Sequence, residues 1–145
     1  MFKHILLPTD GSELSLRAVD TGIALAARLG ASVHAFSVVP PFPWLTCAVD
    51  IIQANQESYL DEAVAQAEGY LREVCQRAAT AGVACASSHV IGQRPYTAIV
   101  AAVAARQCDL IAMASHGGRG FDRLLLGSET HKVMLYANVP VLVCH

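Results

Sequence analysis

Hydrophobic positions fall into blocks of two kinds along this chain of 145 residues. Five short apolar runs (4–9, 32–39, 83–91, 109–114 and 139–144) have the length and content of buried strands. Between them the apolar residues recur three or four apart, the spacing of one helix face. Leu16, Val19, Ile23 and Ala27 mark a first helix that Gly30 stops, and Asp10 with Glu13 reads as its capping box. Pro40, Pro41 and Pro43 break the chain into a loop after the second run. A long helix then spans about 52–81, with Ala63, Ala67, Tyr70, Val74 and Ala78 on one face and Gly82 closing it. Pro95 opens a third helix running to Arg106, and 128–137 forms the last.

Strand and helix alternate over the whole length, which predicts an α/β fold with one doubly wound parallel sheet and helices on both faces. The length suits a single domain over residues 1–145. Ligands of such sheets bind beyond the carboxyl ends of the strands, where the strand order reverses. Two loops reach that place: Thr9-Asp10-Gly11-Ser12 after the first strand, and 114–127 after the fourth.

Composition narrows the functions. A hydrophobic fraction of 54% with 15% charged residues is too apolar for a disordered chain. A net charge of −2, without a dense Lys/Arg face, speaks against a nucleic-acid binder. No membrane span is expected, because the longest aliphatic run, 98–105, falls far short of about 20 residues. The first residues lack the apolar core of a signal peptide, so a cytoplasmic protein is expected. Five cysteines, odd in number and never spaced C-x-x-C, read as buried reduced thiols. The six histidines form no zinc-type pattern, and no metal site is expected.

The chemistry concentrates in Met113–Val133, MASHGGRGFDRLLLGSETHKV, which holds four of the ten glycines. Gly117, Gly118 and Gly120 can take positive φ and converge their N–H groups on an anion, with Arg119 adding charge. Gly127 and Ser128 stand where the last helix starts, and a helix N-terminus attracts phosphate. A strand-to-helix connection needs turn residues in any case, so the glycines alone leave a phosphate cradle and a plain loop both open. Neither G-x-x-x-x-G-K-[ST] nor a G-x-G-x-x-G after a strand occurs.

Three segments carry a resemblance: Ile5-Leu6-Leu7-Pro8-Thr9-Asp10-Gly11-Ser12, Asp109-Leu110-Ile111-Ala112-Met113-Ala114-Ser115-His116-Gly117, and Leu124-Leu125-Leu126-Gly127-Ser128. With the closing Asn138-Val139-Pro140-Val141-Leu142-Val143, they resemble the universal stress protein family across essentially the whole chain. The resemblance implies a five-stranded Rossmann-like sheet in the order 3-2-1-4-5 and a homodimer. The ATP-binding branch of that family carries G-x2-G-x9-G-[ST], which falls here on Ala114, Gly117, Gly127 and Ser128, three of four positions matching. Alanine at position 114 costs little at a strand end with negative φ, and obstructs where the backbone must approach the nucleotide.

By the same resemblance, the loop of Ala114, Ser115, His116, Gly117, Gly118, Arg119 and Gly120 surrounds the phosphates and ribose. The turn of Gly127, Ser128, Glu129 and Thr130 joins it. Pro8, Thr9 and Asp10 reach the adenosine, and the Val38 backbone bonds to adenine. Glu129 brings a negative charge to this site, or serves the dipole of its own helix.

The expected ligand is ATP with Mg2+, bound by a cytoplasmic stress-response sensor or switch. An enzyme is not expected: there is no Walker lysine and no nucleophile elbow, which leaves only slow ATP hydrolysis or phosphotransfer open. The alternative is a dimeric adaptor of the same fold without nucleotide. In the family's strand order, the uncharged segment Val139-Pro140-Val141-Leu142-Val143 lies at a sheet edge and suits self-pairing in a homodimer.

Overall fold

The structure, a computed structural model, describes residues 1–41, 49–116 and 127–145, with residues 49–56 as backbone only. Nine elements follow one another: β1 His4–Pro8, α1 Glu13–Leu29, β2 Ser32–Val39, α2 Val49–Thr80, β3 Cys85–Ile91, α3 Pro95–Ala105, β4 Leu110–Ala114, α4 Ser128–Tyr136 and β5 Val141–Cys144. All strand pairs are parallel, in the order β3-β2-β1-β4-β5. Each helix is the crossover that a parallel connection requires.

Two cores sandwich the sheet. On one face α1 and α2 bury Val19, Ile23, Leu71 and Val74 against Ile5, Leu7, Val33 and Ala112. On the other, α3 and α4 bury Ile99, Val103 and Val133 against Leu6, Phe36, Ile111 and Met113. Successive residues of β1 and β4 thus serve opposite faces, so both strands read as unbroken apolar runs. Gly22 sits inside α1 because the helix rides close on the sheet, where a Cβ would run into Leu7 and come within 3.3 Å of the Ala112 methyl.

The start of α1 differs from the expected capping box. Ser12, not Asp10, is the N-cap, its hydroxyl accepting the Ser15 N–H at 3.2 Å. Asp10 stands two residues earlier and accepts the Ser12 N–H at 2.9 Å through Oδ1. Gly11, at φ 80°, turns the chain between them. The Tyr70 ring of α2 fills the space where a Gly11 side chain would go. At the far end Gly30, at φ 67°, closes α1 in the left-handed conformation, as expected.

Three strands start later than the apolar runs, β4 by one residue at Leu110 and β3 and β5 by two. Val83 and Ala84 belong to the turn out of α2, where the Val83 N–H bonds the Ala78 carbonyl at 2.8 Å. Val139 and Pro140 precede β5, and the Pro140 carbonyl accepts the Ile111 N–H at 3.0 Å. Of the cysteines, only Cys108 is buried among those described; Cys75, Cys85 and Cys144 are half-buried, and all four are free thiols. Cys47 lies outside the described residues. No helix is long and apolar enough to cross a membrane, among the described residues.

Candidate functional site

β1 hands the chain to β2 on one side, and β4 lies on its other side. α1, which follows β1, and α4, which follows β4, pack on opposite faces of the sheet, so a crevice opens between the carboxyl ends of the two strands. A cleft of about 390 Å³ occupies it, within the roughly 300–1,000 Å³ usual for small-molecule sites.

Pro8, Thr9 and Asp10 form one wall. Thr9 is only 5% exposed and fixed three ways. Its N–H bonds the Phe36 carbonyl at 2.9 Å, and its hydroxyl meets Ser15 Oγ at 2.9 Å and accepts the Gly11 N–H at 3.1 Å. The loop after β1 is thus held rigidly against the first turn of α1.

Val38 presents backbone to the cleft for a reason of register. Amides along a parallel strand point alternately to its two neighbours. The Phe36 carbonyl points to β1, where it takes the Thr9 N–H, so Val38 turns its N–H and C=O to that same side. β1 has ended by then, since Pro8 is its last residue and pairs with Phe36. The polar edge of Val38 therefore faces into the cleft, which Val38 lines.

The opposite wall is the start of α4. Gly127 is its N-cap, with φ −62°, and as a glycine it brings no side chain to cap the helix. Its N–H bonds the Ser115 carbonyl at 2.7 Å, and a Cβ there would lie 2.9 Å from the His116 Cα. Glycine is needed at this position for backbone-on-backbone contact, not for positive φ. Ser128, Glu129 and Thr130 occupy the first turn and line the cleft, and the first N–H groups of a helix have no acceptor within it. The Thr130 hydroxyl donates to the Ala114 carbonyl at 2.9 Å, which pins the helix start to the end of β4.

Glu129 serves a neighbouring helix. Its Oε2 accepts the Tyr96 N–H at 2.8 Å, in the first turn of α3, where Arg94 supplies no side-chain cap. Lys132 lies 3.7 Å from Oε1 and 5.2 Å from the Tyr96 ring centre. The carboxylate is thereby tied to the α3–α4 junction.

Ala114 is the last residue of β4, paired with Cys144, and Gln107 alone among the described non-glycine residues has positive φ. Alanine there carries no backbone strain. His116 lines the cleft, its Nδ1 3.0 Å from Ser115 Oγ. Ser115 does not line it: at 2% exposure it lies underneath, its N–H bonded to the Cys144 carbonyl at 2.8 Å. Gly117, Gly118, Arg119 and Gly120 lie outside the described residues. The expected residues that are described, Ser115 excepted, thus share one cleft. Its apolar floor of Phe36, Ile99 and Met113, with Pro95 and Ser15, goes unnoticed in the sequence. Phe36, Ile99 and Met113 fit the core pattern there and gave no separate signal.

Comparison with known proteins agrees with this architecture. Residues 1–145 match the universal stress protein family. A universal stress protein of Thermus aquaticus is 33% identical over 147 aligned positions, covering 99% of this chain and 98% of the relative. The structure superimposes on universal stress protein UspA from Lactobacillus plantarum with a TM-score of 0.85 at 25% identity, covering 99% and 98% of the two chains. A universal stress protein solved in complex with cAMP gives a TM-score of 0.72 at 28% identity, over 99% and 97%. With the five strands in the expected order, residues 8–10 and 127–130 on one crevice, and the family match running from residue 1 to 145, the chain belongs to the universal stress protein family.

Proposed function

We propose that this chain is a cytoplasmic, nucleotide-dependent sensor or switch that binds ATP with Mg2+ in the cleft between β1 and β4. The observation that carries this reading is the strand register that turns the backbone edge of Val38 toward the same cleft as the start of α4, where the N-cap is a glycine. A carbonyl and an N–H side by side match the amino donor and ring acceptor of adenine. Guanine carries an oxygen acceptor where adenine carries its amino group. Phe36, Ile99 and Met113 give the base an apolar floor, and the N-terminal dipole of α4 favours the phosphates. The cAMP complex of a relative with 28% identity supports an adenine nucleotide as the ligand class.

Mg2+ fits as a passenger of the triphosphate. It takes few protein ligands and prefers phosphate oxygens, and no three acidic, His or Cys side chains gather into a cage among the described residues. In a polyphosphate complex the ion would supply charge neutralisation, with Asp10 and Glu129 the carboxylates that line the cleft. The reading is of a binding module. Its polar side chains hold the cleft in shape, as Thr130 does to Ala114 and Glu129 to Tyr96.

Equilibrium dialysis of the freshly purified protein against ATP and Mg2+, with released nucleotide identified by mass, tests this. Saturation at one adenine nucleotide per chain is expected. No uptake at millimolar ATP would overturn the reading in favour of a nucleotide-free adaptor.

A further inference from the structure

Cys75 and Cys85 lie on the face of the sheet away from the nucleotide cleft. Cys75 is in the last turns of α2, and Cys85 is the first residue of β3. Cys85 pairs in register with Val33, whose side chain belongs to the α1–α2 core, so its sulfur is aimed at α2. The two sulfurs are 2.8 Å apart, against about 2.05 Å in a disulfide. The turn between them is short and fixed. Gly82 stands at φ 72°, and the Val83 N–H is bonded to the Ala78 carbonyl. Both side chains are half-buried, so a small oxidant reaches them and the bond would close without opening the core.

We infer that Cys75 and Cys85 form a reversible thiol–disulfide pair, a modification site that clips α2 to the β3 edge of the sheet. The co-reactant is a peroxide. The Cys75 sulfur attacks one peroxide oxygen and the O–O bond breaks; the departing hydroxide takes the proton of the Cys75 thiol, leaving a sulfenic acid on Cys75 and one water. The Cys85 sulfur then attacks the Cys75 sulfur. The S–O bond breaks, and the departing hydroxide takes the Cys85 proton as a second water. Two sulfurs lose two electrons in total, and the two peroxide oxygens gain them. A dithiol reverses the step by exchange.

Burial first, then the hydrogen bond with Cys75, pushes the Cys85 thiol up to about 12, so the pair rests reduced and protonated until an oxidant reaches it. Elsewhere, burial and then Asp109 push the Cys108 thiol up to about 11, and burial raises Cys144. Neither has a second cysteine sulfur in contact among the described residues.

Treating the full chain with hydrogen peroxide, blocking the remaining thiols and digesting with trypsin tests the assignment. Cleavage after Arg77 separates the two cysteines, so a bridge must link the peptide holding Cys75 to the one holding Cys85. The expected result is that linked peptide, lighter by two hydrogens, with two of the five thiols lost and both restored by dithiothreitol. Cys75→Ser and Cys85→Ser should each abolish it, and Cys108→Ser should not. Oxidation that leaves both peptides unlinked, carries either cysteine to sulfinic acid, or joins two chains through them would overturn the proposal. The wild-type digest decides this even if a variant folds poorly.

Discussion

At the scale of single residues, the cleft shows how side chains that look like ligands divide between architecture and binding. Asp10 and Ser12 are two residues apart in one turn, and the structure gives the cap to Ser12. Replacing Ser12 by alanine should therefore cost about 1 kcal/mol of stability. Asp10→Asn keeps an oxygen for the Ser12 N–H, so stability should change by less than about 0.5 kcal/mol. If the carboxylate touches the nucleotide, the same change should weaken ATP binding about ten-fold, from the roughly 1.5–3 kcal/mol of a bond to a charged group. Denaturant melts and ATP titrations on both variants separate the two roles, and unchanged affinity in Asp10→Asn would make it a turn residue alone.

Gly127 belongs to the same scale. An added methyl meets the His116 backbone, which has no rotamer to yield, so Gly127→Ala should destabilise the fold by about 1–3 kcal/mol. A melt indistinguishable from wild type would show that the α4 start shifts freely.

At the scale of elements, much was legible because helix and strand periods differ so plainly. All nine elements were expected, and Gly30 stops α1 as read. What escaped was set by contacts distant in sequence. The capping box fits the spacing of Asp10 and Glu13, but only the turn at Gly11, with its positive φ, reveals that the helix is capped two residues later, at Ser12. The bond from Tyr96 N–H to Glu129 joins two helices 33 residues apart, and no local pattern announces it. The late start of β5 follows from Pro140, which has no N–H to give a ladder. The phosphate-side glycines 117–120 rest on motif and resemblance alone.

β2 offers a prediction of its own at this scale. His34 is 3% exposed, its Nε2 2.8 Å from Ser88 Oγ on β3. Burial, then the charge of Arg106 and then His4, pushes its imidazole below the ordinary value of 6.5. The unfolded chain takes up a proton near that pH which the folded chain refuses. The stability His34 contributes is therefore present above pH 6.5 and lost as pH falls below it, toward the lower folded value. Denaturant unfolding at about pH 7.5 and about pH 5.5 should show a loss that His34→Gln reduces. An equal loss in the variant would place the acid sensitivity elsewhere.

At the scale of the whole molecule, the two sheet edges differ in how they are covered. β5 is short, uncharged and half-buried along its length, and α4 beside it exposes Met134, Leu135 and Tyr136. Pairing of β5 with its copy about a two-fold axis would satisfy the edge and close the assembly. Light scattering through a dilution series should give at least twice 15.4 kDa at micromolar concentration. A monomer throughout would refute self-pairing through 139–143.

The nucleotide reading depends on Val38 discriminating bases while α4 holds phosphates without regard to base. Calorimetric titration of the protein with ATP and with GTP, at equal concentrations in Mg2+, measures both at once. The geometry predicts saturable heat with ATP at one site per chain and binding of GTP weaker by about ten-fold or more, the cost of one mismatched polar contact. Equal affinity for the two, or no heat with either at millimolar ligand, would contradict it.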